Sequence, residues 1–210
     1  MRRLVFAMLF SLVSLPSLAV VSLQMPDIDV TLHNALYDKG TMLIKPYLSL
    51  SDQPVPDASS PEAREKLFEG IDLLKQVVGI NPNNAPAYWI MGMAYRALES
   101  DKDATIAFGT AYQINPMQRD FAREYSYSCM CSGQTSLAVK IAERVSAQYP
   151  TDAGLTANVG LALLADGQLD QAQETTQKAM MLDPADDVTQ SLMKEIEAVK
   201  NGKKAARYCH

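Results

Sequence analysis

Histidine, cysteine and tryptophan are scarce in this chain of 210 residues, with two, three and one copies. His33 and His210 stand in no metal-ligand or triad spacing, so zinc chemistry and triad-type nucleophilic catalysis find no constellation. The ten glycines are spread singly, which leaves no phosphate-cradling loop. Acidic residues fall on expected solvated faces and turns. The sequence therefore offers no catalytic constellation and no cofactor site, and its histidines offer no metal-ligand spacing. Clustered positive charge is also missing: the formal net charge is −5, and apart from Lys203, Lys204 and Arg207 the basic residues are scattered. A protein that grips a phosphate backbone needs them gathered, so nucleic acid is excluded as a partner.

Apolar residues are plentiful. They make up 48% of the chain against 20% charged residues, which suits a packed core and argues against a disordered polymer. One long hydrophobic run stands out. Arg2 and Arg3 precede an apolar stretch from Leu4, and Ser17-Leu18-Ala19 places small residues where a signal peptidase cuts. Residues 1–19 are thus expected to be a cleaved signal, making the body periplasmic or extracellular. If uncut, Leu4 to Leu23 is long enough to anchor the chain in the inner membrane. A lipid-anchor cysteine is excluded, because none occurs before Cys129.

Beyond this segment the chain repeats. Pro82, Pro116, Pro150 and Pro184 are 34 residues apart, and Ala104, Ala138 and Ala172 keep the same step, as do Phe108, Ala142 and Thr176. A fixed period of this length marks stacked supersecondary units, each too small to bury its own apolar face. Residues 85–118, 119–152 and 153–186 read as three complete units. Residues 62–84 read as the second helix of an incomplete first unit, with residues 20–61 supplying its first helix and a proline-rich loop. Residues 187–200 form a capping helix and 201–210 a tail.

Helical spacing assigns the faces. Leu32, Leu36, Leu43 and Tyr47 share one side of a helix over 30–48 that Pro46 kinks or shortens. The helix from Pro61 to about Gly79 is expected to bury Leu67, Ile71, Leu74 and Val78, and the capping helix Val188, Leu192, Ile196 and Val199. Gly92 and Gly160 let paired helices approach, with Ser126 as the next smallest choice. Gly133 and Gly167 fit left-handed helix exits.

Tyr88, Met91, Gly92, Tyr95, Ala104, Phe108 and Pro116 meet the pattern W-x2-L-G-x2-Y…A-x3-F…P. Here the chain resembles the tetratricopeptide repeat (TPR) family, over roughly residues 62–186. The third unit departs from it, carrying Ala122, Tyr125, Ser126 and Cys129 in its first helix. The resemblance implies an all-α, right-handed superhelix of helix–turn–helix repeats whose concave side binds proteins. One subset of the family clamps a C-terminal carboxylate with Lys, Asn and Arg. The matching slots here hold Trp89, Met93, Glu124, Gly154 and Asn158, so only Asn158 agrees and that ligand class is not expected.

The first-helix positions beside the packing face should line the groove. They are Trp89, Met93 and Arg96 in the second unit, Arg123, Tyr127 and Met130 in the third, and Leu161 and Leu164 in the fourth. Aromatic, Met and Arg side chains dominate interface energetics. The alternative is that the helix at 30–48 covers Trp89 and Met93. Among the cysteines, Cys129 fills a core slot and Cys131 faces nearer the groove. The two lie about 200° apart around one helix and so do not bridge each other. Cys209, beside His210, is suited to an intermolecular disulfide or a metal contact. The function expected is an exported scaffold holding a protein or extended peptide segment, in envelope assembly or secretion. The alternatives are a small chaperone for a secreted protein and a membrane-tethered assembly factor.

Overall fold

The computed structural model describes residues 29–48 and 56–204. The signal or anchor segment, residues 51–55 of the proline-rich loop, Arg207, Cys209 and His210 lie outside the described residues. Within them the chain forms nine α-helices and no strand. These are α1 (Val30–Ile44), α2 (Pro61–Ile80), α3 (Ala85–Ala97), α4 (Asp101–Ile114), α5 (Arg119–Cys131), α6 (Thr135–Gln148), α7 (Ala153–Ala165), α8 (Leu169–Leu182) and α9 (Asp187–Lys200). Consecutive helices pack in pairs, α1 on α2, α3 on α4, α5 on α6 and α7 on α8, and α9 closes the stack against α7 and α8. The result is an all-α repeat superhelix.

The 34-residue step sets where helices begin and end. Asn84, Gln118, Asp152 and Asp186 are each an N-cap whose side chain accepts a backbone N–H of the first turn. That satisfies donors the helix itself leaves orphaned. The first helices end through a residue of positive φ: Glu99 at 58°, Gly133 at 76°, Gly167 at 78° and, after α9, Gly202 at 89°. In each exit the following N–H reaches back five residues. Ser100 donates to Tyr95 at 2.8 Å, Gln134 to Cys129 at 2.7 Å, Gln168 to Leu163 at 2.9 Å and Lys203 to Ala198 at 3.0 Å. This is the Schellman closure, which favours glycine. Glu99 makes the same turn with a side chain.

Close approach within a pair depends on the small slot. A Cβ placed on Gly92 would lie 2.6 Å from the Phe108 ring, and Phe108 is fully buried. In the third unit Ser126 fills that slot and its hydroxyl donates to the carbonyl of Ala138 at 3.0 Å. In the fourth, Gly160 lies against Thr176. The first unit keeps the arrangement: a Cβ on Gly40 would stand 3.1 Å from the Gly70 carbonyl oxygen. α1 thus packs on α2 as the first helices of the other pairs pack on their second helices.

Three expected faces hold except at one position each: Leu36 and Tyr47, then Leu67, Ile71 and Leu74, then Leu192, Ile196 and Val199 pack on the core as expected. α1 buries Gly40 and Ile44, whereas Leu32 is exposed, because the glycine contact fixes which side meets α2. Pro46 lies in a short 3₁₀ turn, Lys45–Tyr47, after the helix. α2 buries Val77 rather than Val78. In α9, Val188 is 76% exposed and Thr189 is fully buried. Thr189 can be buried because Asp186 accepts hydrogen bonds from both its hydroxyl and its N–H, which removes the cost of an unpaired polar group.

Candidate partner-binding groove

The first helices α3, α5 and α7 form one wall, and a cleft of about 340 Å³ opens along it. Arg96 enters from α3, Arg123, Glu124, Tyr127 and Met130 from α5, and Asn158 and Leu161 from α7. Asn158 and Leu161 also border a second cleft of about 300 Å³, closed on its far side by Val188, Leu192 and Glu195 of α9. The two clefts share a wall and make one groove across α3, α5, α7 and α9.

Electrostatics organise its α3 end. Glu124 is 8% exposed and receives two arginines. Arg96 Nη1 donates to its Oε2, while Arg123 donates to its Oε1 from Nε at 3.2 Å and Nη2 at 3.1 Å. Arg123 Nη2 also stands 3.2 Å from Asp120. The Arg96 guanidinium lies 5.3 Å from the Phe108 ring centroid and 5.8 Å from that of Tyr127, near enough for cation–π attraction. These contacts hold Arg96, Arg123 and Tyr127 in place before any partner arrives, which lowers the ordering cost of binding.

The sequence-based groove set divides. Arg96, Arg123, Tyr127, Met130 and Leu161 come together at the cleft. Met93 is 5% exposed, in the cluster that contains Ile44 and Leu48, because α1 packs on α3. Leu164 is 4% exposed in the cluster with Ile196, because α9 packs on α7. Neither is presented to a partner. Trp89 is partly buried, its ring centroid 6.1 Å from that of Phe121 on α5. It stands at the joint between the second and third units and also packs against the cluster that contains Ile44 and Leu48. Its indole N–H is buried without a hydrogen-bond acceptor among the described residues.

Sequence reasoning missed Glu124, Asn158 and Ser126 as lining residues. An acidic residue next to Arg123, at a slot matched to the family's carboxylate clamp, was the available signal for Glu124. Cys129 is fully buried and free, and burial pushes its thiol up to about 11, which keeps it protonated and inert. Cys131 is disulfide-bonded. His33, on α1, faces Asn84, with its Nε2 3.0 Å from the Asn84 amide nitrogen.

No protein-family model matches this chain, and no curated protein matches it. Solved structures do. MamA from Desulfovibrio magneticus RS-1 superposes with a TM-score of 0.64 at 21% identity, over 84% of this chain and 88% of that one. PilF of Pseudomonas aeruginosa gives 0.59 at 15%, over 82% and 70%. YrrB, a TPR protein with an unusual peptide-binding site, gives 0.56 at 18%, over 80% and 85%. All three are TPR-repeat proteins. This chain has the TPR fold. The Gly92–Phe108 contact and the left-handed exits are the physical form of the repeat pattern read in its sequence.

Proposed function

We propose that this TPR chain is an exported, non-catalytic scaffold that holds an extended peptide segment of a protein partner in the groove between Arg96 and Leu192. The observation that carries this reading is the cleft itself: an Arg, a Tyr, a Met and a Leu from three successive repeats converge on one surface. Rigid stacked helices hold these anchors in place. Apolar side chains of the segment would sit on Met130 and Leu161, and Arg123 would orient a carboxylate or carbonyl. Export rests on the Arg2-Arg3 start, the apolar run and Ser17-Leu18-Ala19, and intact mass of native protein should give a chain beginning at Val20. Retention of Met1 in a membrane fraction would favour the anchor instead.

The test is capture from the envelope fraction with the chain immobilised, followed by titration of whatever is retained. Tyr127→Ala or Leu161→Ala should weaken binding by about 2 kcal/mol, as truncated hot spots do, with the melting curve nearly unchanged. Undiminished binding by both variants would contradict the groove.

A further inference from the structure

We propose that Met180, Met181 and Met193 form a site for a soft monovalent metal ion, Cu(I), at the α9 end of the array. Gln173, Gln177, Met180 and Met181 of α8 and Met193 and Glu197 of α9 line a cleft of about 370 Å³. The cleft shares no lining residue with the groove, so this site stands apart from protein binding. Three of the chain's 11 methionines thus line one cleft. None of the three belongs to a core cluster among the described residues, and Met181 is 76% exposed. Burial of apolar surface, the usual reason for a methionine, gains little here.

The repeat itself explains why the cleft exists. Gly92, Ser126 and Gly160 hold the small slot of successive first helices, and one period further on the slot in α9 is Lys194. A lysine bars the close approach by which a second helix packs on its first. A further second helix therefore cannot seat on α9 as in the other pairs, and the space between α8 and α9 keeps the size of a small-ligand site.

The lining suits a soft cation. Thioether sulfur selects Cu(I) over the harder divalent ions that seek carboxylate or imidazole. Met193 and Glu197 are an i, i+4 pair on one face of α9 and line the same cleft as the two methionines of α8, so a carboxylate is at hand to balance the charge of the ion. Three rotatable bonds in each methionine let the sulfurs turn onto one ion. The ammonium of Lys200 is committed elsewhere: it donates to Asp170 at 2.7 Å and to Gln173 at 2.6 Å. Binding forms sulfur–metal bonds, releases no proton from the thioethers and moves no electron.

The experiment uses the full chain with isotope-labelled methionine methyl groups, and Ag(I) as a redox-inert stand-in for Cu(I). On titration the methyl signals of Met180, Met181 and Met193, assigned by Met180→Leu, Met181→Leu and Met193→Leu, should shift together and saturate with a single ion. Unmoved signals, or equal shifts at methionines elsewhere, would overturn the site. Competition for Cu(I) against bicinchoninate then measures affinity. Met181→Leu and Met193→Leu should each weaken it by about tenfold or more, with the melting curve held because Leu conserves the volume. Met181 is exposed, so its replacement leaves the fold intact. Undiminished Cu(I) affinity in both variants would overturn the assignment. The wild-type affinity should also be equal at about pH 5.5 and about pH 7.5, since thioethers carry no proton, whereas a thiol or imidazole site weakens as pH falls. A loss of affinity at the lower pH on the scale of the variants' would overturn it too, by placing the ion at a thiol or imidazole. Capture of a protein by the groove stands or falls separately from these results.

Discussion

The α3–α4 and α7–α8 units occupy equivalent positions in the same array and solve one packing problem with opposite chemistry. In the first, the Phe108 ring fills the space over Gly92 and is fully buried. In the second, Thr176 stands over Gly160, fully buried, with a hydroxyl that has no partner among the described residues. A glycine in the small slot permits close approach without dictating what fills it. A large ring converts that approach into buried apolar area, whereas a small β-branched polar residue gives less area and leaves a buried group unsatisfied. The second unit should accordingly be the better packed of the two, and the fourth should owe more of its order to α9.

Two substitutions pull this contrast apart. Phe108→Ala removes the ring and leaves a cavity against Gly92, for an expected loss of about 4 kcal/mol in denaturant unfolding. A loss below about 1 kcal/mol would show that the ring is not the centre of that unit. Thr176→Val keeps the shape and removes the unpaired hydroxyl, so the chain should gain about 1 kcal/mol. A loss there would mean that the hydroxyl has a partner. A smaller effect separates the left-handed exits. Glu99 adopts at φ 58° the conformation that Gly133 and Gly167 adopt without a side chain. Replacing it by Gly relieves about 1–2 kcal/mol of steric cost and returns part of that as backbone entropy. A net gain of about 0.5 kcal/mol is expected from the melting curve. No gain would mean that the Glu99 side chain makes up the cost through its own contacts.

The repeat was legible because prolines, small residues and left-handed glycines at a fixed step are required by local backbone geometry. Gly133 and Gly167 needed nothing beyond their own turns to be placed. Where the buried stripes of α1 and α9 begin was not legible, because Leu32 and Val188 fit the apolar period as well as the residues that are buried. What selects Ile44 and Thr189 is a neighbour: Gly70 across the pair in one case, the Asp186 cap in the other. The groove set divides for the same reason. Arg96, Arg123, Tyr127, Met130 and Leu161 are where the slot rule puts them, while Met93 and Leu164 obey the rule and are then covered by α1 and α9. A slot number describes one helix, and burial depends on the next.

Trp89 marks the boundary between packing and groove, and one unfolding curve tests it. It occupies a groove slot by sequence, yet it is partly buried against Phe121 at the joint between the second and third units. If the groove begins at Arg96 and Trp89 belongs to the array's own packing, Trp89→Ala should lower stability by about 3 kcal/mol. A change within about 0.5 kcal/mol, the range of an ordinary surface substitution, would contradict this and return Trp89 to the binding surface.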